Sequence, residues 1–485
     1  MKLQIKANRK ILLAIICIAI MAFASGVFYA RAQSGSSGIF TISAGVYPGA
    51  PSYRVYSNGA GNYYAKDTYG SVDFTSTNAT TVVNDAVANG GLIVLIGSFQ
   101  LGSSSITITS SNTTLDLSQA ILYSTGNAIN AHGTPSAYLA LITVKGGQLI
   151  GSNSGIQSGI VFQYVTDFLI QGVTVHSFAH EGIMLEDCQY GKVENCNPYN
   201  NGMDGIGVLA GTGTSCAITI LNNICTNNGQ DGIYVDNGAT ANINGFSGIV
   251  ISTNYCNGNG NGNNGARLYG VLLGTHNDNV TVTDNTVKGS WSDGIALSTL
   301  KYAIVSNNIL KDNGAGSGSG TGSGITFNDV SDSICSNNQA HYNAGWGFRL
   351  LFSSQSNTIE GNDFSSNSQY GIQVSSSTTD DCYYNNIENN FGTISVSISP
   401  SNCMFSNNPN FPTDYYFAQF VSSSAGPVTI TFPTAFAGTP TVVGYGSDTQ
   451  YFGTIYFSIN STSIVIHWTG GIQSGNIWGQ VHYQP

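Results

Sequence analysis

Charged side chains are scarce in this chain. Only 8% of its 485 residues are Asp, Glu, Lys or Arg, and the 25 acids outnumber the 14 bases, which gives a net charge of −11 at pH 7. A protein with so few bases does not hold nucleic acid by neutralising its phosphates. Gly, Ser, Thr and Asn have to cover most of the exterior, as expected for a secreted protein whose surface is uncharged and forms hydrogen bonds.

Sustained helical periodicity is also missing, since no stretch keeps apolar residues on one helical face over several turns. What recurs instead is a Gly followed by alternating apolar residues, at spacings of 23 to 38 residues. These glycines are Gly159, Gly182, Gly205, Gly232, Gly270, Gly294, Gly324, Gly347 and Gly371. Such alternation is that of a half-buried strand. A strand motif that returns at this period predicts a solenoid, in which each repeat buries its face by stacking on the next.

A second series of residues supports the same register. Asn recurs after the second apolar stretch of each repeat, at Asn223, Asn254, Asn285, Asn308, Asn338, Asn362 and Asn386. Asn tolerates the left-handed backbone conformation and forms hydrogen bonds within turns. On stacked coils these side chains would bond one another along the solenoid, a structural role that we favour over a role in binding.

Residues 370–374 (Tyr-Gly-Ile-Gln-Val) and 385–390 (Asn-Asn-Ile-Glu-Asn-Asn) resemble the parallel β-helix repeats of the NosD-like and pectate-lyase-like superfamily. The resemblance covers residues 76–408 and implies an all-β fold, a right-handed parallel β-helix of roughly 12 to 13 coils. It predicts the fold and leaves the function open, because this scaffold carries lyases, hydrolases, epimerases, tailspikes and non-enzymes.

Eight cysteines follow residue 32, and none lies in a Cys-x-x-Cys pair of the kind that binds zinc. Cys225 and Cys256 occupy the same position in consecutive repeats. Because neighbouring coils lie about 4.8 Å apart, the two can be either a disulfide or a pair of stacked core thiols. The thiols are the interpretation that we favour.

The N-terminal residues 1–32 are typical of a signal peptide. A basic start precedes an apolar run over residues 11–28, and small residues at 30–32 suit cleavage. An uncleaved membrane anchor is the alternative, because an apolar run of about 18 residues just suffices to span a bilayer. Removing the segment's five bases leaves nine against 25 acids. Residues 33–75 then predict a small β extension, and residues 82–87 a short helix that caps the solenoid.

The repeat pattern of the sequence ends at about residue 408. Residues 409–413 are predicted to be a linker, and residues 414–485 contain alternating strands without the coil period, which indicates a small antiparallel β-sandwich. Residues 428–436 and 477–481 resemble H-type lectin and phage tail-fibre tip domains. That resemblance implies a sugar-binding tip, with Trp478 as a substrate-binding residue; the alternative is that Trp468 and Trp478 are core residues.

Candidate catalytic residues come from the position just before each repeat Gly. Glu181, Asp204 and Asp231 hold it in consecutive repeats, so stacking would place their carboxylates on adjacent coils. Carboxylates one coil apart suit a retaining glycosidase, and carboxylates two coils apart approach the spacing of an inverting one. Two other roles remain open for them, Ca²⁺ binding through oxygen ligands and hydrogen bonding within their own turns.

Outward residues of the Gly-led strand should line up into a trough, with loops at 210–215, 237–246, 258–267 and 313–323 as its walls. In the pectate-lyase-like proteins the glycan lies in such a trough, and the resemblance implies the same here. The substrate-binding candidates on it are Tyr234, Asp236, Asp293, Trp346 and Arg349.

The sequence predicts a secreted or cell-surface protein that binds polysaccharide or a surface glycan in this trough, with cleavage left open. As an enzyme it would be a glycoside hydrolase or a polysaccharide lyase. The alternative is a non-catalytic adhesin or structural stalk with a carbohydrate-binding tip. No metal site or cofactor is assigned beyond the Ca²⁺ alternative, a membrane contact is expected only through an uncleaved anchor, and a homo-oligomer is left open.

Overall fold

The computed structural model describes residues 52–408, apart from 59–60, 212–214, 237–245, 261–268, 275–276, 315, 317–321, 376–381, 383–384, 393, 398–402 and 407. Outside that range it describes strands and the turn residues 460–461. Three of these lie near the N-terminus, at Leu3–Ile5, Tyr29–Ser34 and Phe40–Gly45. The rest of the predicted signal peptide lies outside the described residues. Within them, no helix is long and apolar enough to cross a membrane.

The fold is a right-handed parallel β-solenoid with three faces, which we call sheets A, B and C in chain order. Sheet A contains the nine Gly-led strands together with Ile106–Ile108 and Ile129–His132 before them and Ile394–Ser397 after them. The Gly-led strands are Ile160–Gln163, Ile183–Glu186, Ile206–Leu209, Ile233–Asp236, Val271–Leu273, Ile295–Lys301, Ile325–Ser331, Phe348–Leu351 and Ile372–Ser375.

Sheet B follows after a corner. Its strands are Ile142–Lys145, Leu169–Gln171, Gln189–Glu194, Cys216–Leu221, Val250–Ser252, Thr281–Thr283, Ile304–Ser306, Ile334–Ser336, Thr358–Glu360, Asn386–Glu388 and Cys403–Ser406. Short strands lie at the corner itself: Leu139–Ala140, Val165–Thr166, Phe246–Ser247 and Asn277–Asp278.

Sheet C completes each coil with Gln148–Ile150, Thr174–His176, Asn197–Tyr199, Ile224–Thr226, Tyr255–Asn257, Thr286–Lys288, Ile309–Lys311 and Gln339–His341. After Phe348 it is reduced to isolated bridges at Asp363. The solenoid makes about ten turns, where the sequence predicted roughly 12 to 13 coils.

The core is a set of stacked apolar columns. Ile183 pairs in register with Ile206, and Ile206 with Ile233, and all three are fully buried. Burying such a side chain contributes about 1.5 to 3 kcal/mol. Cys225 and Cys256 also pair in register and are buried thiols, as favoured from the sequence.

The Asn series forms a continuous ladder between sheets B and C. The Asn308 amide nitrogen donates to Asn338 Oδ1 at 2.9 Å and to the Val282 carbonyl of the previous coil at 2.9 Å. Asn308 Oδ1 in turn accepts from the backbone and side chain of Asn285. Each side chain thus joins three coils in a region where water cannot replace a lost bond.

One predicted ladder member is wrong. Asn390, rather than Asn386, accepts from Asn362 and continues the ladder to Asn408. Asn386 lies in a sheet B strand opposite Thr358. The sequence also missed a second ladder at the corner that follows sheet C, formed by Asn201, Asn228, Asn259, Asn313, Asn343 and Asn367.

The solenoid begins with the strands Tyr53–Ser57, Tyr63–Asp67 and Val72–Ser76, followed by helix α1 (Ala79–Val87). Asn78 caps α1 by accepting from the Thr81 N–H. The helix buries Val82, Val83 and Ala86 and covers the open end of the core, as predicted. The long strand Gly91–Gly102 pairs in parallel with Tyr53–Ser57 on one side and with the long strand Thr113–Ser124 on the other.

The C-terminal strands form two three-stranded antiparallel arrangements. One contains Thr413–Val421, Thr441–Ser447 and Gly475–Tyr483, and the other Val428–Thr431, Ile455–Ile459 and Ser463–Trp468. The first continues the solenoid directly, because Phe405 pairs with Asp414 and Cys403 with Tyr416. A strand thus begins at Thr413, inside the predicted linker.

We expect Asn308→Ala to destabilise the solenoid by about 2 to 4 kcal/mol, because it leaves the Asn285 N–H and the Val282 carbonyl buried without partners. Thermal and urea unfolding followed by circular dichroism measures the effect. Asn257→Ala is the matched control, since Asn257 lies on the outer surface of sheet C. Equal melting temperatures for the two variants would contradict a structural role for the ladder.

Candidate functional site

The predicted outward column of sheet A exists. Register pairs run without a break through Met184, Gly207, Tyr234, Leu272, Ala296, Thr326, Arg349 and Gln373. The side chains from Tyr234 to Arg349 therefore lie on one surface, one coil apart.

The three candidate catalytic acids also stack on consecutive coils. The Gly182 N–H donates to the Asp204 carbonyl, and the Gly205 N–H to the Asp231 carbonyl, which fixes the order of these positions. All three are buried, Asp231 completely and Glu181 and Asp204 with 7% and 2% of their surface exposed.

Their carboxylates are engaged by neighbouring coils. Asp204 Oδ1 accepts from the Asp231 N–H at 2.9 Å, and Asp231 Oδ1 from the Tyr269 N–H at 2.7 Å. Glu181 Oε2 accepts from the Ser158 hydroxyl at 2.8 Å. The hydrogen bonds cross to the next or previous coil, whereas the sequence suggested bonds within one turn. These contacts stabilise the stack, and the catalytic role of the three acids stays a prediction.

A pocket of about 300 Å³ opens on sheet A further along the solenoid. Its lining combines carboxylates, hydroxyls, an amide and apolar side chains: Asp236, Tyr269, Leu272, Gly274, Asp293, Ala296, Leu297, Ser298, Thr326 and Asn328. Two of the predicted substrate-binding residues, Asp236 and Asp293, thus face one cavity. At least half of each loop predicted to wall the trough lies outside the described residues.

Asp293 lies at the floor of this pocket. Its Oδ1 accepts from the Ser323 N–H at 2.5 Å. Burial raises the pKa of the Asp293 carboxyl, against the lowering effects of the Ser323 N–H and of the positive charge of Arg349. A carboxyl in this environment keeps its proton to a higher pH than an exposed one.

Arg349 and Trp346 form a stacked pair beside Asp293. The guanidinium carbon lies 4.4 Å from the Trp346 ring centroid, and Arg349 Nε donates to Gln373 Oε1 at 3.0 Å. Burial lowers the pKa of Arg349, while Asp293 and Tyr269 act to raise it. The Trp346 ring and the Gln373 hydrogen bond therefore hold the Arg349 guanidinium in place, and Asp293 offsets its positive charge.

Asp236 is held at the other side of the pocket. The Tyr234 hydroxyl donates to Asp236 Oδ2 at 2.5 Å. Because Tyr234 is only 4% exposed, its role at the pocket is to position the Asp236 carboxylate. A Cβ on Gly274 of the next coil would lie 2.5 Å from Asp236 Oδ1, so glycine makes room for this carboxylate.

Among the buried polar atoms on this surface that have no hydrogen-bond partner within the part of the chain that the structure describes are Thr326 Oγ1 and Trp346 Nε1. Thr326 is 6% exposed and lines the pocket, and its hydroxyl lies close enough to Asp293 to act towards a lower pKa of that carboxyl. An unpaired buried hydroxyl or indole N–H costs about 1 to 3 kcal/mol, so each is a point where a ligand group would gain a bond.

The remaining candidate, Trp478, lies far along the chain. Its backbone pairs with Ala418 and Gly446 in the C-terminal sheet, and its side chain lies outside the described residues. Among the side chains that the structure describes, no three of His, Cys, Asp or Glu are grouped as metal ligands would be.

Sequence reasoning missed Tyr269, Ser298, Thr326 and Asn328 as lining residues. Thr326 lies in the predicted outward column, so the sequence predicted its position on the surface of sheet A but not that it would be buried there. Ser298 and Asn328 pair in register in the middle of their strands, where the repeat shows no distinctive residue type.

A sequence profile of the right-handed β-helix region matches residues 98–246 and 269–426. The chain belongs to the right-handed β-helix family. No curated protein matches its sequence.

Among solved structures, the chain is similar to the A-module of the Azotobacter vinelandii mannuronan C-5 epimerase AlgE4. The two share 17% identity with a TM-score of 0.52, over 68% of this chain and 96% of that one. It is also similar to the Dettilon tailspike protein, with 16% identity and a TM-score of 0.51 over 84% of this chain and 92% of the other. At this identity the likeness concerns the fold.

We expect Asp293→Asn to gain stability relative to the parent as the pH rises. The raised pKa means that the folded chain binds the Asp293 proton more tightly than the unfolded chain, so the free energy of unfolding falls from the unfolded pKa of about 3.9 up to the folded value. Asn carries no charge, and its amide oxygen can still accept from Ser323. Melting temperatures between about pH 3 and pH 7 measure the trend.

Asp116→Asn is a control for which we expect the opposite pH dependence of stability. Despite its burial, which acts to raise it, the pKa of Asp116 is lowered by hydrogen bonds from Ser118 and by Lys145, whose Nζ lies 3.0 Å away. This variant should lose relative stability as the pH rises. A pH-independent difference between parent and Asp293→Asn would contradict the account of Asp293.

Proposed function

We propose that this protein binds polysaccharide along the outer surface of sheet A, with the pocket between Asp236 and Asp293 as the main subsite. The polymer would lie parallel to the solenoid axis, because the subsite groups repeat along that axis, one coil after another. A sugar unit and a coil step are each about 5 Å long, so consecutive units can meet equivalent positions on consecutive coils.

The observation that carries this proposal is the pair of buried, unpartnered donors, Thr326 Oγ1 and Trp346 Nε1, on a surface that also offers carboxylate acceptors. Sugars present many hydroxyl groups that both donate and accept. The stacked faces of Trp346 and Arg349 add a flat, partly apolar platform against which a sugar ring can pack.

The charges favour an uncharged polymer. Asp236 and Asp293 both line the pocket, and the nearby Arg349 is already offset by Asp293 and bonded to Gln373. A polyuronate would bring further negative charge to two carboxylates in a chain of net charge −11. One structural neighbour is named for its action on mannuronan, which supports polysaccharide as the ligand class. The two carboxylates of this pocket favour a neutral ligand within that class.

Export of the chain through residues 1–32 would bring it to such a polymer outside the cell, and we include it in the proposal. The sugar-binding role of the C-terminal sheets and of Trp478, and any assembly into oligomers, remain predictions.

Retardation of the full chain in native gels that contain neutral polysaccharides (β-glucan, galactomannan, xylan) or polyuronates (polygalacturonate, alginate) tests the proposal. We expect retardation by at least one neutral polymer. Thr326→Val keeps the side-chain shape and removes the hydroxyl, so affinity for that polymer should fall about 2- to 10-fold, the value of one hydrogen bond.

Thr219→Val is the matched control, because Thr219 lies on the outer surface of sheet B. Equal affinity of the parent and Thr326→Val would exclude the pocket. Binding of polyuronates alone would exclude the neutral class. No binding to any polymer would favour the adhesin or stalk alternative.

A further inference from the structure

A second line of outward residues runs along sheet A at the far end of its strands. Register pairs join Gln163 to Glu186, Glu186 to Leu209, and Leu209 to Asp236. Glu186 and Asp236 therefore stand in one column two coils apart, with Leu209 between them. Two coil steps amount to about 9 to 10 Å, close to the upper end of the carboxylate separation that leaves room for a water beside a glycosidic bond.

Each of the two carboxylates is positioned by the coil that follows it. A Cβ on Gly211 would lie 2.6 Å from Glu186 Oε1 and 3.1 Å from Asp187 Oδ2, and a Cβ on Gly274 would lie 2.5 Å from Asp236 Oδ1. Each carboxylate thus lies against a glycine of the following coil. A glycine stands at each place where a side chain would displace the carboxylate.

The surroundings of the two carboxylates differ. Burial raises the pKa of Glu186, as does the negative charge of Asp187, while Gln163 and His132 act to lower it. Asp187 is fully buried, and its Oδ1 accepts from the Gly211 N–H at 2.9 Å. Asp236 instead accepts from the Tyr234 hydroxyl at 2.5 Å. Glu186 is therefore the carboxyl of the pair that is suited to give a proton.

The pocket described above begins at Asp236 and extends over the following coils, away from Glu186. A polymer held there by Asp293 and Thr326 would continue past Asp236 and over Leu209 towards Glu186. The bond above Leu209 would then have one carboxylate on each side. The unpartnered Thr326 hydroxyl lies in the same groove and offers a bound polymer a hydrogen bond there.

We propose that Glu186 and Asp236 hydrolyse the bound neutral polysaccharide, with Glu186 as general acid and Asp236 as general base. Glu186 gives its proton to the glycosidic oxygen as the bond from that oxygen to the anomeric carbon breaks. A water molecule adds its oxygen to the anomeric carbon from the opposite face and loses a proton to Asp236. Transfer of that proton to solvent and reprotonation of Glu186 restore the site. The product has the inverted configuration, and no oxidant, metal or cofactor enters the balance.

This proposal rests on the proposed binding function, and its test separates the two. The full chain is incubated with each neutral polysaccharide that retards it in gels, and reducing-end release is measured for the parent and for Glu186→Gln and Asp236→Asn. We expect release by the parent and a fall of about 10²- to 10⁴-fold in Glu186→Gln and in Asp236→Asn, the usual contribution of a general acid or base. Glu186→Gln should still be retarded by the polymer.

Glu194→Gln is the matched control, because Glu194 also ends a strand of the same coil but lies on sheet B, where it pairs with Lys192. Its release should equal that of the parent. Proton NMR of the first product should show the inverted anomer.

Three results would overturn the proposal. They are the absence of release from every polymer that the parent binds, a retained anomer, and unchanged release by Glu186→Gln. Asp231→Asn distinguishes this pair from the three buried acids that the sequence suggested as catalytic. If Asp231→Asn abolished release while Glu186→Gln kept it in full, the buried acids would be the catalytic residues. Absence of binding itself would instead contradict the proposed function.

Discussion

The in-register stacking of coils is the constraint on which the rest of this structure depends. Backbone bonds between sheet neighbours set the coil spacing, and the buried Asn ladders lock the corners, because each amide bridges three coils and has no access to water. A slip of one residue would turn every inward Ile or Val of a strand outward. Stability and the placement of surface groups therefore follow from the same register.

The proposed site is a consequence of that register. Asp236, Thr326 and Arg349 are distant in sequence and carry no common motif, yet consecutive coils bring them onto one surface. Each coil contributes only a few polar groups to this surface. Groups from five or six coils have to be combined before a pocket, a stacked cation and a spaced pair of carboxylates appear. Long polymers suit such a surface, because ligand and protein then repeat in the same direction.

The sequence predicted the solenoid, its core columns and the capping helix, since Gly-Ile alternation and the Asn series are local signals with a clear period. It also predicted the outward column, because alternation in a strand decides which residues face out. It did not show that Asp204 and Asp231 would be buried and bonded to the backbone of the next coil. Burial at that position depends on how the corners fold over it. Asn386 was mistaken for Asn390 because two asparagines of one coil both follow an apolar stretch, and only the corner geometry separates them.

The central claim is that ligand lies along sheet A, from the Thr326 pocket past Asp236. A crystal structure of the Glu186→Gln variant with an oligosaccharide from a neutral polymer that it binds tests this claim most directly. The account predicts a sugar unit within hydrogen-bonding distance of Thr326 Oγ1 and a chain of units that runs parallel to the solenoid axis and over Leu209. Sugar bound only to sheet B, to sheet C or to the C-terminal sheets would contradict it.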